Sequence, residues 1–150
     1  MKLALGADHA GFHLKWRLAN WLRTPQGGKH QILDVGTASA QSCDYPDFAR
    51  EVAKAVAKRR ALKGILVCST GIGMAMAANK TRGIRAGVAW TPKIAMLAAE
   101  HNDVNVLCIP GRFTNLRQAR KILKSFLRTP FGGGRHRRRI EKIQALDRCA

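Results

Sequence analysis

Apolar residues in this chain follow two alternating periods. Short apolar runs at Lys2–Gly6, Gln31–Val35, Gly64–Val67, Ile84–Ala89 and Asn105–Ile109 read as five strands. Between them, Leu14, Leu18, Trp21 and Leu22 recur at helical spacing, as do Phe48, Val52 and Val56, with Pro46 placed to open the second helix. Leu116, Ala119, Leu123 and Phe126 form a further helical stripe after the last strand. Strands alternating with helices predict an α/β fold, a parallel sheet covered by helices. Pro25–Gly28 reads as a surface turn and Gly132–Gly134 as a hinge before a basic terminal helix. That helix carries Ile140, Ile143 and Leu146, which have little left to bury against on their own domain, so a neighbouring subunit is the expected partner.

The run from Gly64 to Lys80 carries the most chemistry. Ile65–Val67 has the β-branched, continuous apolar character of a central parallel strand, which puts Cys68 at a strand's carboxyl end, where open α/β sheets keep their sites. Gly71 and Gly73 let the backbone turn tightly, and the Ala-rich segment behind them can begin a helix whose N-terminus favours negative charge. Such a turn can hold a phosphate or an oxyanion, and a helix terminus is one means of making a thiol usable as base or nucleophile. On position alone a buried, inert cysteine accounts for Cys68 equally well.

Composition narrows the class. A chain of 150 residues with 46% hydrophobic content suits one domain spanning 1–150. No apolar run is long enough for a membrane span, and Asp8 and His9 interrupt the N-terminal apolar segment too early for a secretory signal, so a cytoplasmic protein without a membrane partner is expected. Cys43, Cys68, Cys108 and Cys149 form neither a CxxC pair nor a disulfide framework; reduced thiols and no zinc are expected. The net charge of +18 would by itself point to nucleic acid. Its distribution argues otherwise: residues 112–148 hold 12 Lys and Arg against 2 acids, on apparent helices with no base-stacking aromatics interleaved. A solvated face with an anion pocket is the expected arrangement, with no specific nucleic acid as partner.

Read together, the residues that follow the strands make one constellation. Asp8 and His9 follow the first strand, Asp44-Tyr45-Pro46-Asp47 the second, and Cys68 and Thr70 the third, while His101-Asn102-Asp103 precedes the fifth and Arg112 follows it. Clusters of titratable groups of this kind mark active sites. Each member also has a plainer role. Asp8 and Asp44 suit helix N-caps, His101-Asn102 suits a helix C-terminus, and the arginines at 135 and 137–139 suit a solvated face. A metal site from Asp8, His9 and His101 lacks any supporting spacing, and Met76 stands where a dinucleotide fingerprint needs its third glycine.

The order of these motifs resembles ribose-5-phosphate isomerase type B and its sugar-phosphate isomerase superfamily, which includes galactose-6-phosphate isomerase subunits. The carriers are Gly6-Ala7-Asp8-His9-Ala10-Gly11-Phe12, Asp44-Tyr45-Pro46-Asp47, Cys68-Ser69-Thr70-Gly71-Ile72-Gly73, Ala77-Ala78-Asn79-Lys80, Gly83-Ile84-Arg85-Ala86, His101-Asn102-Asp103-Val104-Asn105-Val106, and Gly134-Arg135-His136 with Arg139. The resemblance implies a Rossmann-like three-layer αβα sandwich with a five-stranded parallel sheet and an extra C-terminal helix. It also implies a homodimer or homotetramer with shared active sites, and cofactor-free and metal-free interconversion of ribose 5-phosphate and ribulose 5-phosphate through a cis-enediol, a step of the pentose phosphate pathway. By resemblance Cys68 is the proton-transfer base, His101 the ring opener and Thr70 its helper. Asp8 and Asp44 resemble groups that hold sugar hydroxyls. Asn102 and the amides from Gly71 to Gly73 resemble the cradle for enediolate oxygen, and His9, Arg112, Arg135 and Arg139 match phosphate ligands.

The residue chemistry agrees, since moving a proton beside a carbonyl needs a base, a group for the oxygen protons and donors for the enediolate, and no redox cofactor. Ser69, which lies in the substrate-binding turn, stands where many relatives have glycine. Pro110-Gly111-Arg112 shortens the usual approach to the phosphate arginine, and Arg137 and Arg138 are expected to face solvent. Two other readings compete: an isomerase of a six-carbon sugar phosphate such as allose 6-phosphate or galactose 6-phosphate, and, more distantly, a basic nucleic-acid-binding protein.

Overall fold

A computed structural model describes residues 1–147; Cys149 lies outside the described residues. The strands are β1 (Lys2–Ala7), β2 (Gln31–Asp34), β3 (Lys63–Cys68), β4 (Ala86–Val88) and β5 (Val106–Pro110). The helices are α1 (Phe12–Arg23), α2 (Tyr45–Ala57), α3 (Ile72–Ala78), α4 (Pro92–Asn102), α5 (Leu116–Arg128) and α6 (Gly134–Leu146). All strand pairs are parallel, in the order β2-β1-β3-β5-β4. The five-stranded α/β sandwich with an additional C-terminal helix expected from the sequence is therefore the fold. No described helix is long and apolar enough to cross a membrane.

Period-two alternation sorts the core into two layers. Leu3, Leu5, Ala7, Ile65, Val67, Leu107 and Ile109 point to one face, where they meet α1, α4 and α5. Ala4, Leu66, Cys68, Val106 and Cys108 point to the other, against α2 and α3. Helices are held close to the sheet where side chains are missing: a Cβ on Gly11, at the head of α1, would lie 2.1 Å from the carbonyl oxygen of Val67 in β3. This contact locks the turn after β1 against the end of β3.

Two elements are shorter than their hydrophobic pattern. The strand expected over Ile84–Ala89 is reduced to three residues. Ile84 donates its N–H back to Thr81, and the N–H of Arg85 goes to the side chain of Asn105. Helix α3 stops at Ala78 because the Asn79 amide turns across to β4, where it bonds both the N–H and the carbonyl of Ala86 at 2.7 and 3.0 Å. The terminal helix divides its apolar stripe. Ile140 is buried on its own chain, whereas Ile143 and Leu146 remain exposed beside a groove of about 580 Å³ lined also by β4 and α4.

Candidate active site

In the observed strand order, the chain leaves β1 toward one side of the sheet and reaches β3 on the other, so a crevice opens between their carboxyl ends. Asp8 and Cys68 flank it, and both are buried. The Asp8 carboxylate accepts the N–H of Gly11 at 3.0 Å, so it serves the local turn without capping α1 in the usual way. Cys68 Sγ accepts the N–H of Gly71 at 3.1 Å. Gly71 reaches that position with φ +76°, a left-handed conformation open to glycine and strained for other residues. Next to it, Thr70 Oγ1 accepts from Ile72 N–H at 3.3 Å. Of the amides expected to form an oxyanion cradle, that of Gly71 is thus turned onto the sulfur.

Arg112 comes to the same turn. Pro110 pairs with Cys68 in the sheet, Gly111 donates to the carbonyl of Cys68 at 2.7 Å, and Arg112 donates its backbone N–H to Ser69 at 3.1 Å. The shortened approach therefore leaves the exposed Arg112 beside the Cys68 turn. From the other side, Asp44 occupies the N-cap position of α2, yet its side chain makes no capping bond, so its carboxylate is uncommitted to the helix. His9 Nδ1 accepts the N–H of Cys43 at 3.2 Å; the ring proton then sits on Nε2, which makes that nitrogen a donor.

His101 and Asn102 are not in this crevice. Helix α4 runs back against the strand direction, and its last residues precede β5, whose Val106 pairs with Gly64 near the start of β3. The length of β3, roughly 16 Å at the usual rise per residue, separates that edge from Cys68. Within one chain, then, His101 and Asn102 are not brought together with Asp8, His9 and Cys68. Among the described residues no group of three or more His, Cys, Asp or Glu side chains is arranged to hold a metal ion.

At the amino edge a second cluster forms. The imidazoles of His101 and His136 stack with centroids 4.2 Å apart and planes 11° from parallel, while Gly132 donates to the carbonyl of Glu100 at 2.8 Å. These contacts hold the start of α6 beside the end of α4. Arg135 and Arg139, one helical turn apart and exposed, stand on that start beside His136, which stacks on His101. Burial, then the neighbouring His101 and the two arginines, push the His136 pKa down. Asp103 is positioned structurally: in the left-handed region at φ 46°, it takes the Arg85 guanidinium on its carboxylate at 2.6 Å and on its carbonyl at 2.8 Å. Arg137 and Arg138 face solvent, as the sequence suggests.

Four contributors were not singled out from sequence. Tyr45 lies over the turn, so close that a Cβ on Gly73 would sit 2.6 Å from its Cζ. Cys43 sets the His9 tautomer through its backbone, and His136 supports His101. Lys15, buried in α1, bonds both Asp34 oxygens at 2.7 and 2.8 Å and the Thr37 carbonyl at 2.9 Å, fixing the start of the loop that leads to Asp44. Of the remaining cysteines, Cys108 is buried and its thiol is pushed far up, first by burial and then by Cys68.

Comparison with known proteins matches residues 3–143 to the Ribose/Galactose Isomerase family model. The chain is 42% identical to ribose-5-phosphate isomerase B of Escherichia coli K12 over 146 residues, 97% of this chain and 96% of that protein. Its structure is similar to that of Clostridium thermocellum ribose-5-phosphate isomerase B, with a TM-score of 0.95, 40% identity and 99% of each chain covered. It is also similar to Mycoplasma genitalium ribose-5-phosphate isomerase B with bound ribulose-5-phosphate, with a TM-score of 0.93, 39% identity and coverage of 99% and 97%.

Proposed function

This chain belongs to the ribose/galactose isomerase family, and from that premise we propose that it is the isomerase that interconverts ribose 5-phosphate and ribulose 5-phosphate in the cytoplasm. The observation that carries the mechanism is the Gly71 N–H aimed at Cys68 Sγ at 3.1 Å. It is the donor a sulfur needs while it holds negative charge, before it takes the substrate proton and after it gives that proton back. Cys68 takes the proton from C2 of the open aldose and the electron pair moves through C1–C2 onto O1, giving a cis-enediolate; O1 gains a proton and O2 loses one, and as the O2 electron pair forms the ketone the proton on Cys68 returns to C1. Electrons balance within the sugar, so the scheme calls on no oxidant or reductant. His101, helped by Thr70, opens the ring; Asp8 and Asp44 hold hydroxyls; Asn102 and the turn amides beyond Gly71 hold enediolate oxygen. His9, Arg112, Arg135 and Arg139 bind phosphate, the arginines through paired donors that stay charged.

These groups lie at opposite edges of one sheet, so the working site is assembled from two copies, Cys68 of one facing His101, Asn102 and the α6 arginines of the other. A homodimer satisfies this twice by symmetry. Exposed apolar residues stand at both edges, Ile72 and Met76 beside the Cys68 turn and Ile143 and Leu146 on α6, as expected of surfaces covered on association. Relatives named above act, by name, on ribose 5-phosphate; a six-carbon substrate gains no comparable support from the structure.

Coupled isomerisation of ribose 5-phosphate tests the reading. Cys68→Ala is expected to lose about 10²–10⁴-fold in kcat, the range for a positioned acid–base group, with an unchanged far-ultraviolet circular dichroism spectrum. Undiminished turnover in that variant would remove Cys68 from the mechanism.

A further inference from the structure

Most of the positive charge lies outside the proposed substrate site, and part of it has a definite place in the fold. No carboxylate occurs in residues 9–33 or 104–140, the two stretches that contain α1 and α5, which pack side by side. Arg117, Lys121, Lys124 and Arg128 recur at helical spacing opposite the buried Ala119, Ile122, Leu123 and Phe126, so they form one stripe on the outside of α5. With Arg17 and Arg120 they make no ion pair among the described residues. Along the chain the one aromatic within this stripe, Phe126, is buried. In space α1 supplies two: Trp21, buried, under the cations of Arg120 and Lys124 at 5.5 and 5.8 Å, and Trp16, 59% exposed.

Three depressions of about 510, 480 and 170 Å³ run together along the α1–α5 seam, sharing Trp21 as their floor. The trough is about 20 Å long, the length of α5, and the Cβ atoms of successive residues in its cationic stripe stand about 5–6 Å apart. The Nε of Arg120 is buried in it with no hydrogen-bond partner among the described residues.

We propose that the α1–α5 trough binds single-stranded polynucleotide without sequence preference, the phosphates on the α5 stripe and one base stacked on Trp16. A cationic groove with an exposed aromatic is the combination that such strands require. An anionic membrane would call for a band of exposed apolar side chains leading the charges, and here only Trp16 is exposed. An acidic protein would call for an apolar centre to the patch, and Trp21, which occupies that centre, is already covered by cations.

The test is fluorescence anisotropy of a labelled oligo(dT) of 20 nucleotides with the full chain, across a salt series, in wild type and three variants. Arg117→Gln/Lys121→Gln/Lys124→Gln/Arg128→Gln is expected to weaken binding at least 100-fold at low salt and to reduce the slope of log K against log salt by about 3, at roughly 0.7 per lost phosphate contact. Trp16→Ala is expected to weaken binding about tenfold with the slope unchanged, as loss of stacking requires. Arg137→Gln/Arg138→Gln, equally basic but on α6, is expected to lose less than threefold. Isomerase turnover and thermal melting of all three variants should match wild type, which separates loss of the surface from loss of fold. No binding by wild type, an equal loss from the α6 pair, or no effect of Trp16→Ala would overturn the proposal. So would binding to phosphatidylserine vesicles as tight as to the oligonucleotide.

Discussion

At the scale of single residues, hydrogen bonds decide what each polar group is free to do. The Asp8 carboxylate is partly spent on Gly11, Thr70 on Ile72, and the Gly71 amide on Cys68. His9 is the reverse case, because the Cys43 N–H occupies Nδ1 and leaves Nε2 as an outward donor. Used on the substrate phosphate, that donor should be worth about tenfold in binding, the scale of one hydrogen bond to a charged group. His9→Ala is therefore expected to raise KM for ribose 5-phosphate about tenfold with less change in kcat; a collapse of kcat at unchanged KM would place His9 in the chemistry instead. Cys68, Asp8 and Asp44 were legible in the sequence as candidates because Cys68 ends a strand, Asp8 follows one and Asp44 opens a helix, positions where side-chain direction follows from local structure. Tyr45 over Gly73 and His136 on His101 were not, since both contacts depend on how helices approach one another.

Among elements, strand and helix positions follow the apolar periods closely, and the departures have local causes. Asn79 and Asn105 bond backbone groups around β4 and so trim the ends that hydropathy alone extends. Strand order is another matter, because every strand here is an apolar run that would fit any central position; the return of α4 to the amino edge, which separates His101 from Cys68, could not be read from pattern. The union of α4 and α6 also carries a pH dependence. With its pKa lowered, His136 binds a proton less readily when α6 is docked than when it is released. The docked state is then at full strength above the ordinary histidine range near 6.5, and weakens as pH falls through that value toward the lower docked one. Hydrogen exchange of α6 amides, corrected for intrinsic rates, should show less protection at about pH 5.5 than at about pH 7.5, with the difference reduced in His136→Phe, which keeps a ring and loses the titration. Equal protection at both pH values would mean that the stack does not hold the helix.

For the whole molecule, the proposed site residues fall into two sets on one chain. The carboxyl edge supplies Cys68, Thr70, Asp8, Asp44, His9 and Arg112, and the amino edge supplies His101, Asn102, Arg135 and Arg139. The sheet between them keeps the two sets from meeting within a copy, and Ile72, Met76, Ile143 and Leu146 are exposed, as the proposed association of two copies requires. Membership of the ribose/galactose isomerase family gives the reaction type; the geometry adds that catalysis should belong to the assembly. Mixing two inactive variants tests this most directly. Cys68→Ala and His101→Ala, each purified, unfolded and refolded together, should form mixed dimers with one intact site each, restoring about a quarter of wild-type activity for random pairing in a twofold dimer. Refolded separately, each should stay inactive; absence of any recovery on mixing, or full activity of His101→Ala alone, would contradict a site shared between copies.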